Sequence, residues 1–154
     1  MKKTLISNAS IFDGTGSKPF VGSLLIEGNR IKSVTKGKAK AAVAADTSID
    51  GSGMFLMPGM TEGHAHLSFD SVTSTEDLII PPPEEHTLLT ARIAKTLLDH
   101  GFTSAYGASE AKLRLGVAVR NEVDAGRLPG PRIRAGSLEI TVTGGLGDES
   151  RLHN

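Results

Sequence analysis

From residue 58 to residue 135, strand-like and helix-like segments alternate, and this order restricts the fold more than any other feature of the chain. After Phe55-Leu56-Met57 and the turn Pro58-Gly59, the run from Met60 to His66 reads as the first strand. Pro81-Pro82-Pro83 follows a polar loop. A proline at the first helical position, with Glu84 and Glu85 in the first turn, predicts a helix start, because proline lacks the amide that would go unpaired there and carboxylates suit the positive end of the dipole. Leu89, Ile93 and Leu97, with Leu88, Ala94 and Leu98, give that helix one apolar face, and Gly101 ends it. Phe102 to Tyr106 reads as a buried strand. A second helix is expected to begin near Ser109 or Glu110, with Leu115, Ala118, Val119 and Val123 as its stripe and Gly126 as its stop. Pro131 to Ala135 reads as a third strand. Strand-helix-strand-helix-strand predicts right-handed βαβ units on a parallel sheet, hence an α/β fold.

His64-Ala65-His66 lies at the end of the first of these strands. Side chains on a strand alternate faces with a period of two, so both imidazoles are expected on one side, with Glu62 sharing their parity. Neutral imidazole is a common ligand for zinc and related ions, and His64 and His66 are therefore the candidate metal ligands. Paired histidines on a strand also occur as surface or satisfied core residues, so the flanking residues decide between the two readings.

Those residues are Pro58, Gly59, Met60, Thr61, Glu62, Gly63, His64, Ala65 and His66 in that order. The run resembles the opening barrel strand of the amidohydrolase superfamily, P-G-apolar-apolar-D-x-H-x-H, with Thr61 at an apolar position and Glu62 at the aspartate. Asp13-Gly14-Thr15-Gly16, Gly28-Asn29-Arg30-Ile31 and the stretch Asp50-Gly51 to Gly53 resemble the strands that precede the barrel in that family. Gly101-Phe102-Thr103-Ser104 resembles its second strand. Gly126 to Arg132, with Gly130-Pro131-Arg132, resembles the approach to strand three in the imidazolonepropionase/prolidase-like branch. Thr143-Gly144-Gly145-Leu146-Gly147-Asp148 resembles that branch's T-G-G-H-G-D, with Leu146 in place of the histidine.

The resemblance implies the N-terminal part of a (β/α)8 TIM barrel preceded by strands of a small β-sandwich. A complete barrel takes about 250 residues, and the 154 residues here leave it incomplete, at about three strands and two helices. The expected division is 1–57 for the sandwich strands and 58–154 for the first part of the barrel. The resemblance further implies a divalent metal, zinc by preference, held by His64 and His66. It implies hydrolysis of an amide-like C–N bond by metal-activated water, the substrate being a small cyclic amide, N-acyl amino acid, dipeptide, urea or carbamate, with deamination by the same chemistry as a subsidiary option. The family's other ligands, a lysine and histidines on later strands and an aspartate on strand eight, have no counterpart here, so the chain carries only the first ligand motif and is expected to be inactive alone. The alternative from another class is a non-catalytic truncated or split fragment that acts as a folding or assembly partner.

Composition narrows the partners. Lys plus Arg and Asp plus Glu each number 17, a balance that argues against a nucleic-acid or anionic-membrane surface. There is no cysteine, which excludes disulfides, thiolate metal sites and thiol nucleophiles. No apolar stretch approaches the ~20 residues of a membrane span, and the expected setting is cytoplasmic. An open parallel edge makes a homo-oligomer or a complementing chain the expected assembly.

The remaining candidates carry weaker signals. His100 closes a helix, where it suits the negative dipole end. His86 is expected to be exposed in a first helical turn, and His153 has no ligand motif around it. Glu62 reads either as a carboxylate that accepts from a ligand ring or as a rim residue of strand one. The Thr143–Asp148 run has the glycines of a phosphate loop but lacks its Lys-Ser/Thr. The N-terminal strands, locally, fit any antiparallel meander equally well.

Overall fold

The computed structural model describes residues 1–37, 43–70, 72–74, 76–145 and 147–148. The chain divides into two compact units, Met1–Pro58 and Gly59–Asn154.

The first unit is a single sheet. Strands β1 (Lys3–Ile11), β2 (Phe20–Glu27) and β3 (Arg30–Lys36) form an antiparallel run, and β4 (Thr47–Asp50) and β5 (Phe55–Leu56) pair with β1 in parallel. Glu27 pairs with Arg30 across the two-residue turn Gly28-Asn29, the hairpin that the sequence signals. Parallel pairing of β4 and β5 makes this more than a meander. Ala9, Ile11 and Leu24 are buried, whereas the whole of β3 is exposed.

The second unit holds the parallel sheet. Strand β6 (Met60–Ala65) is followed by the short helix α1 (Glu76–Ile79), helix α2 (Pro83–Asp99), strand β7 (Phe102–Gly107), helix α3 (Leu115–Asp124) and strand β8 (Arg132–Arg134). The sheet order is β6-β7-β8, parallel throughout, so a partial α/β barrel sheet is present and no closed barrel forms among the described residues. Ala65, Leu67, Ala105 and Ile133 point from one sheet face onto Ala94 of α2 and Val119 of α3. The opposite face carries Tyr106, Arg132 and Arg134, all exposed. Gly59 is required by a close approach: a Cβ there would stand 2.1 Å from the Thr103 hydroxyl oxygen.

Helix α2 begins at Pro83 with Glu84 and Glu85 in its first turn, as the sequence predicts. Its inward face differs from the expected one. Leu88 is exposed, and the buried positions are His86, Thr90 and Ala94, with Ile93 and Leu97 packed beside them. Polar side chains are tolerated inside because they are bonded: the Thr90 hydroxyl donates to the His86 carbonyl at 2.7 Å, and the His86 ring is bonded at both nitrogens.

Helix α3 starts at Leu115, later than the Ser109 or Glu110 expected from its stripe. The reason is hydrogen bonding. The Glu110 amide donates to the Ser137 carbonyl at 2.8 Å, and the Ala111 amide donates to the Ser68 hydroxyl at 2.8 Å. These ties stretch the segment across the ends of the strands. Arg114, in the left-handed region at φ 66°, then turns the chain into the helix. Leu115 and Val119 are buried as the stripe predicts.

Candidate functional site at the end of the first parallel strand

Strand β6 delivers both histidines to one side. Their ring centroids lie 4.9 Å apart, edge to face. Ala65 and Leu67, the alternating neighbours, are buried among the helices, so the imidazoles sit on the sheet face that the helices leave open. His66 lies one residue beyond the strand end. There the chain turns, the Phe69 amide donates to the His66 carbonyl at 3.1 Å, and the Phe69 ring folds back to stack on His66 with centroids 4.6 Å apart.

Glu62 does not follow the simple parity. Its Cα pairs with that of Ala105, and Ala65 pairs with Gly107, so β6 carries one extra residue between Glu62 and Ala65. Bulges of this kind re-aim side chains near functional sites. The Glu62 carboxylate accepts the backbone amide of His64 at 3.0 Å. It braces the bulged backbone, and the expectation that Glu62 shares the parity of the two histidines is corrected by this bulge.

Strand β7 supplies a residue that the sequence reading missed. After Gly107 the Ala108 amide donates to the Ala65 carbonyl at 2.8 Å, which brings Ser109 against His66. His66 Nδ1 lies 3.2 Å from the Ser109 carbonyl oxygen and 3.0 Å from its hydroxyl. Ser109 is buried. The one signal available in the sequence was position: residues just past the C-terminal end of a parallel strand line the mouth of such sheets.

Behind this pair lies a second polar cluster. His86, expected to be exposed, is 2% exposed. Its Nε2 donates to the Ser68 carbonyl at 2.7 Å, and its Nδ1 accepts from the Lys112 ammonium at 3.0 Å, which also donates to the Leu78 carbonyl. A carbonyl only accepts and an ammonium only donates, so His86 is neutral with its proton on Nε2. Glu110 is also buried, and neither carboxyl oxygen completes a hydrogen bond among the described residues. Burial pushes its carboxyl above the ordinary glutamate value, against a smaller opposing effect of the neighbouring Ser68 hydroxyl and amide. A cleft of roughly 780 Å³ opens beside these groups, with Phe69, Ile79, Leu113, Leu138 and Ile140 among its walls.

The other candidates are placed as follows. His100 caps α2, its ring Nδ1 lying 2.8 Å from the Thr96 carbonyl. The Asp148 carboxylate accepts the Gly144 amide at 2.6 Å, which puts a negative charge where a phosphate loop would need none. Leu146 and His153 lie outside the described residues. Among the described residues no group of three or more His, Cys, Asp or Glu is placed to hold a metal ion. None of the described helices is long and apolar enough to cross a membrane.

No family model matches the sequence. A stretch of 64 residues is 44% identical to 5'-deoxyadenosine deaminase of Methanothermobacter thermautotrophicus, covering 42% of this chain and 14% of that protein. Among solved structures, a Xaa-Pro dipeptidase with methionine bound in its active site matches 97% of this chain, with a TM-score of 0.82 at 25% identity. Molinate hydrolase matches 89% of this chain with a TM-score of 0.76 at 23% identity, a likeness of fold alone. The chain spans 36% of that dipeptidase and 30% of that hydrolase. The chain carries the N-terminal part of the amidohydrolase-superfamily fold, in the form seen in prolidase-like structures.

Proposed function

We propose that this chain supplies the first metal-ligand motif of an amidohydrolase that hydrolyses an amide-like C–N bond in a small molecule. His64 and His66 are its ligands, and zinc is the preferred ion. The observation that carries this reading is the juxtaposition of two imidazoles at 4.9 Å on the uncovered face at the C-terminal end of a parallel strand. That is where such sheets keep their chemistry. The residues fit the ion: imidazole nitrogens suit zinc, and the His64 ring has no hydrogen-bond partner among the described residues. A divalent ion, when bound, supplies Lewis acidity that activates water and polarises a carbonyl. The chain's own residues do the rest of what is visible here. The Glu62 carboxylate holds the backbone at His64, and Phe69 covers one face of His66.

The deaminase and the dipeptidase to which the chain is similar bear the names of enzymes that cleave C–N bonds, which supports the reaction class, with the substrate among cyclic amides, N-acyl amino acids, dipeptides, ureas and carbamates. Equilibrium dialysis against zinc tests the reading. Two imidazoles leave half of a four-coordinate shell to water, so weak binding is expected, lost in both His64→Ala and His66→Ala. Zinc binding unaffected by either substitution would sink the assignment.

A specific observation favours a companion reading, in which the polypeptide acts with a complementing chain or as a non-catalytic assembly partner. Two imidazoles without a third ligand among the described residues make half a site. Intact-mass measurement of native material tests this. A co-purifying chain that restores tight zinc binding supports complementation, and a single longer polypeptide rejects it.

A further inference from the structure

His66 and Ser109 are 43 residues apart in sequence, yet Ser109 offers Nδ1 of His66 two oxygens at once. The two oxygens are not equivalent. A hydroxyl can donate or accept, but a carbonyl oxygen can only accept. A bare Nδ1 would put two lone pairs face to face at 3.2 Å. The carbonyl therefore requires the proton to sit on Nδ1, with the hydroxyl sharing it as a second acceptor. A neutral imidazole protonated on Nδ1 has its lone pair on Nε2, away from Ser109. The Phe69 ring, tilted 20° from parallel, limits rotation of the imidazole about the remaining axis. His64 has no such restraint: its ring is exposed and takes no hydrogen bond among the described residues.

We propose that Ser109 is a positioning residue that locks His66 as the Nδ1–H tautomer and so presents Nε2 to a divalent cation, with His66 the preset ligand and His64 the adaptable one. This rests on the metal-site reading above. Outer groups that hold a ligand histidine typically change metal affinity by about 10–100-fold, and Ser109 is expected to lie near the lower end because its carbonyl survives substitution.

The test uses the full chain. In the metal-free protein, held well above the ordinary histidine pKa of about 6.5, long-range proton–nitrogen NMR should show His66 protonated on Nδ1. A proton on Nε2 overturns the proposal. Ser109→Ala keeps the carbonyl and removes the hydroxyl, so the tautomer should persist while zinc affinity falls about tenfold. Ser109→Thr, which restores a hydroxyl, should recover most of that loss. Unchanged zinc affinity in Ser109→Ala, or a loss that Ser109→Thr does not recover, would overturn the positioning role. Should the unmodified chain bind no zinc, the metal reading fails, and the NMR measurement still decides the tautomer by itself.

Discussion

The Oε1 atom of Glu110 lies 2.6 Å from where a Cβ on Gly116 would stand. A buried carboxyl group fills the space that a side chain at the start of α3 would occupy. Gly116→Ala should therefore overpack this site at a cost of about 1–3 kcal/mol, while helix propensity returns up to about 1 kcal/mol. A net loss of stability is expected in urea denaturation. In a Glu110→Ala background the same substitution should become neutral or stabilising, because the clash is gone. Additive effects of the two changes would contradict the packing argument.

Glu110 should also leave a signature in pH dependence. Its carboxyl is raised above 4.5 by burial, so the folded state binds the proton more tightly than the unfolded state. Its contribution is therefore most favourable below about pH 4.5 and is lost as pH rises through the raised folded value. Asp13, Asp50 and Asp77 run the other way, since hydrogen bonds to the charged form lower them, and they lose their contribution as pH falls. The difference between the unmodified chain and Glu110→Gln isolates the first effect. Stability of the two measured from pH 4 upward should diverge in favour of the glutamine variant; parallel curves would show that Glu110 is not protonated by the fold.

His86 joins α2 to the loops after β6 and β7 through Ser68 and Lys112. Removing the ring opens a cavity and leaves the Ser68 carbonyl without its donor. His86→Ala should cost about 2–4 kcal/mol, read as a lower urea midpoint with an unchanged slope. His100→Ala, at an exposed helix end, should cost less than about 1 kcal/mol. Equal losses would mean that burial of His86 carries no energetic weight.

The parallel sheet ends in strands β6 and β8, each paired on one side only among the described residues. The helix faces bearing Leu115 and Val119 are already covered, and among the described residues the open strand edges and the sheet face with Tyr106 are surfaces that partners can use. Concentration-dependent oligomers should appear in light scattering. A sharply melting monomer at micromolar concentration would show that the unit closes its own core. Amide, dipeptide and hydantoin substrates should give background turnover with this chain alone, and activity abolished by His66→Ala would refute that expectation.

Much of the architecture was legible because its signals are local. Pro83 with Glu84 and Glu85 starts α2 wherever the helix ends up packing, and Gly28-Asn29 turns β2 into β3 within four residues. The alternation of strand and helix determined the parallel sheet, and the period of two placed His64 and His66 on one side. Tertiary structure decided what those signals could not reach. The bulge between Glu62 and Ala65 arises from pairing with β7 and takes Glu62 out of phase with the histidines. The late start of α3 follows from amides of Glu110 and Ala111 bonded to Ser137 and Ser68. His86 is buried because its two partners come from 18 and 26 residues away, and Ser109 meets His66 only once two strands lie side by side. Periodicity reports which way a side chain points from its own backbone; which distant oxygen or amide completes its hydrogen bonds is settled by chain crossings that bring far residues together, and it is those bonds that fix the tautomer, the burial and the bulge.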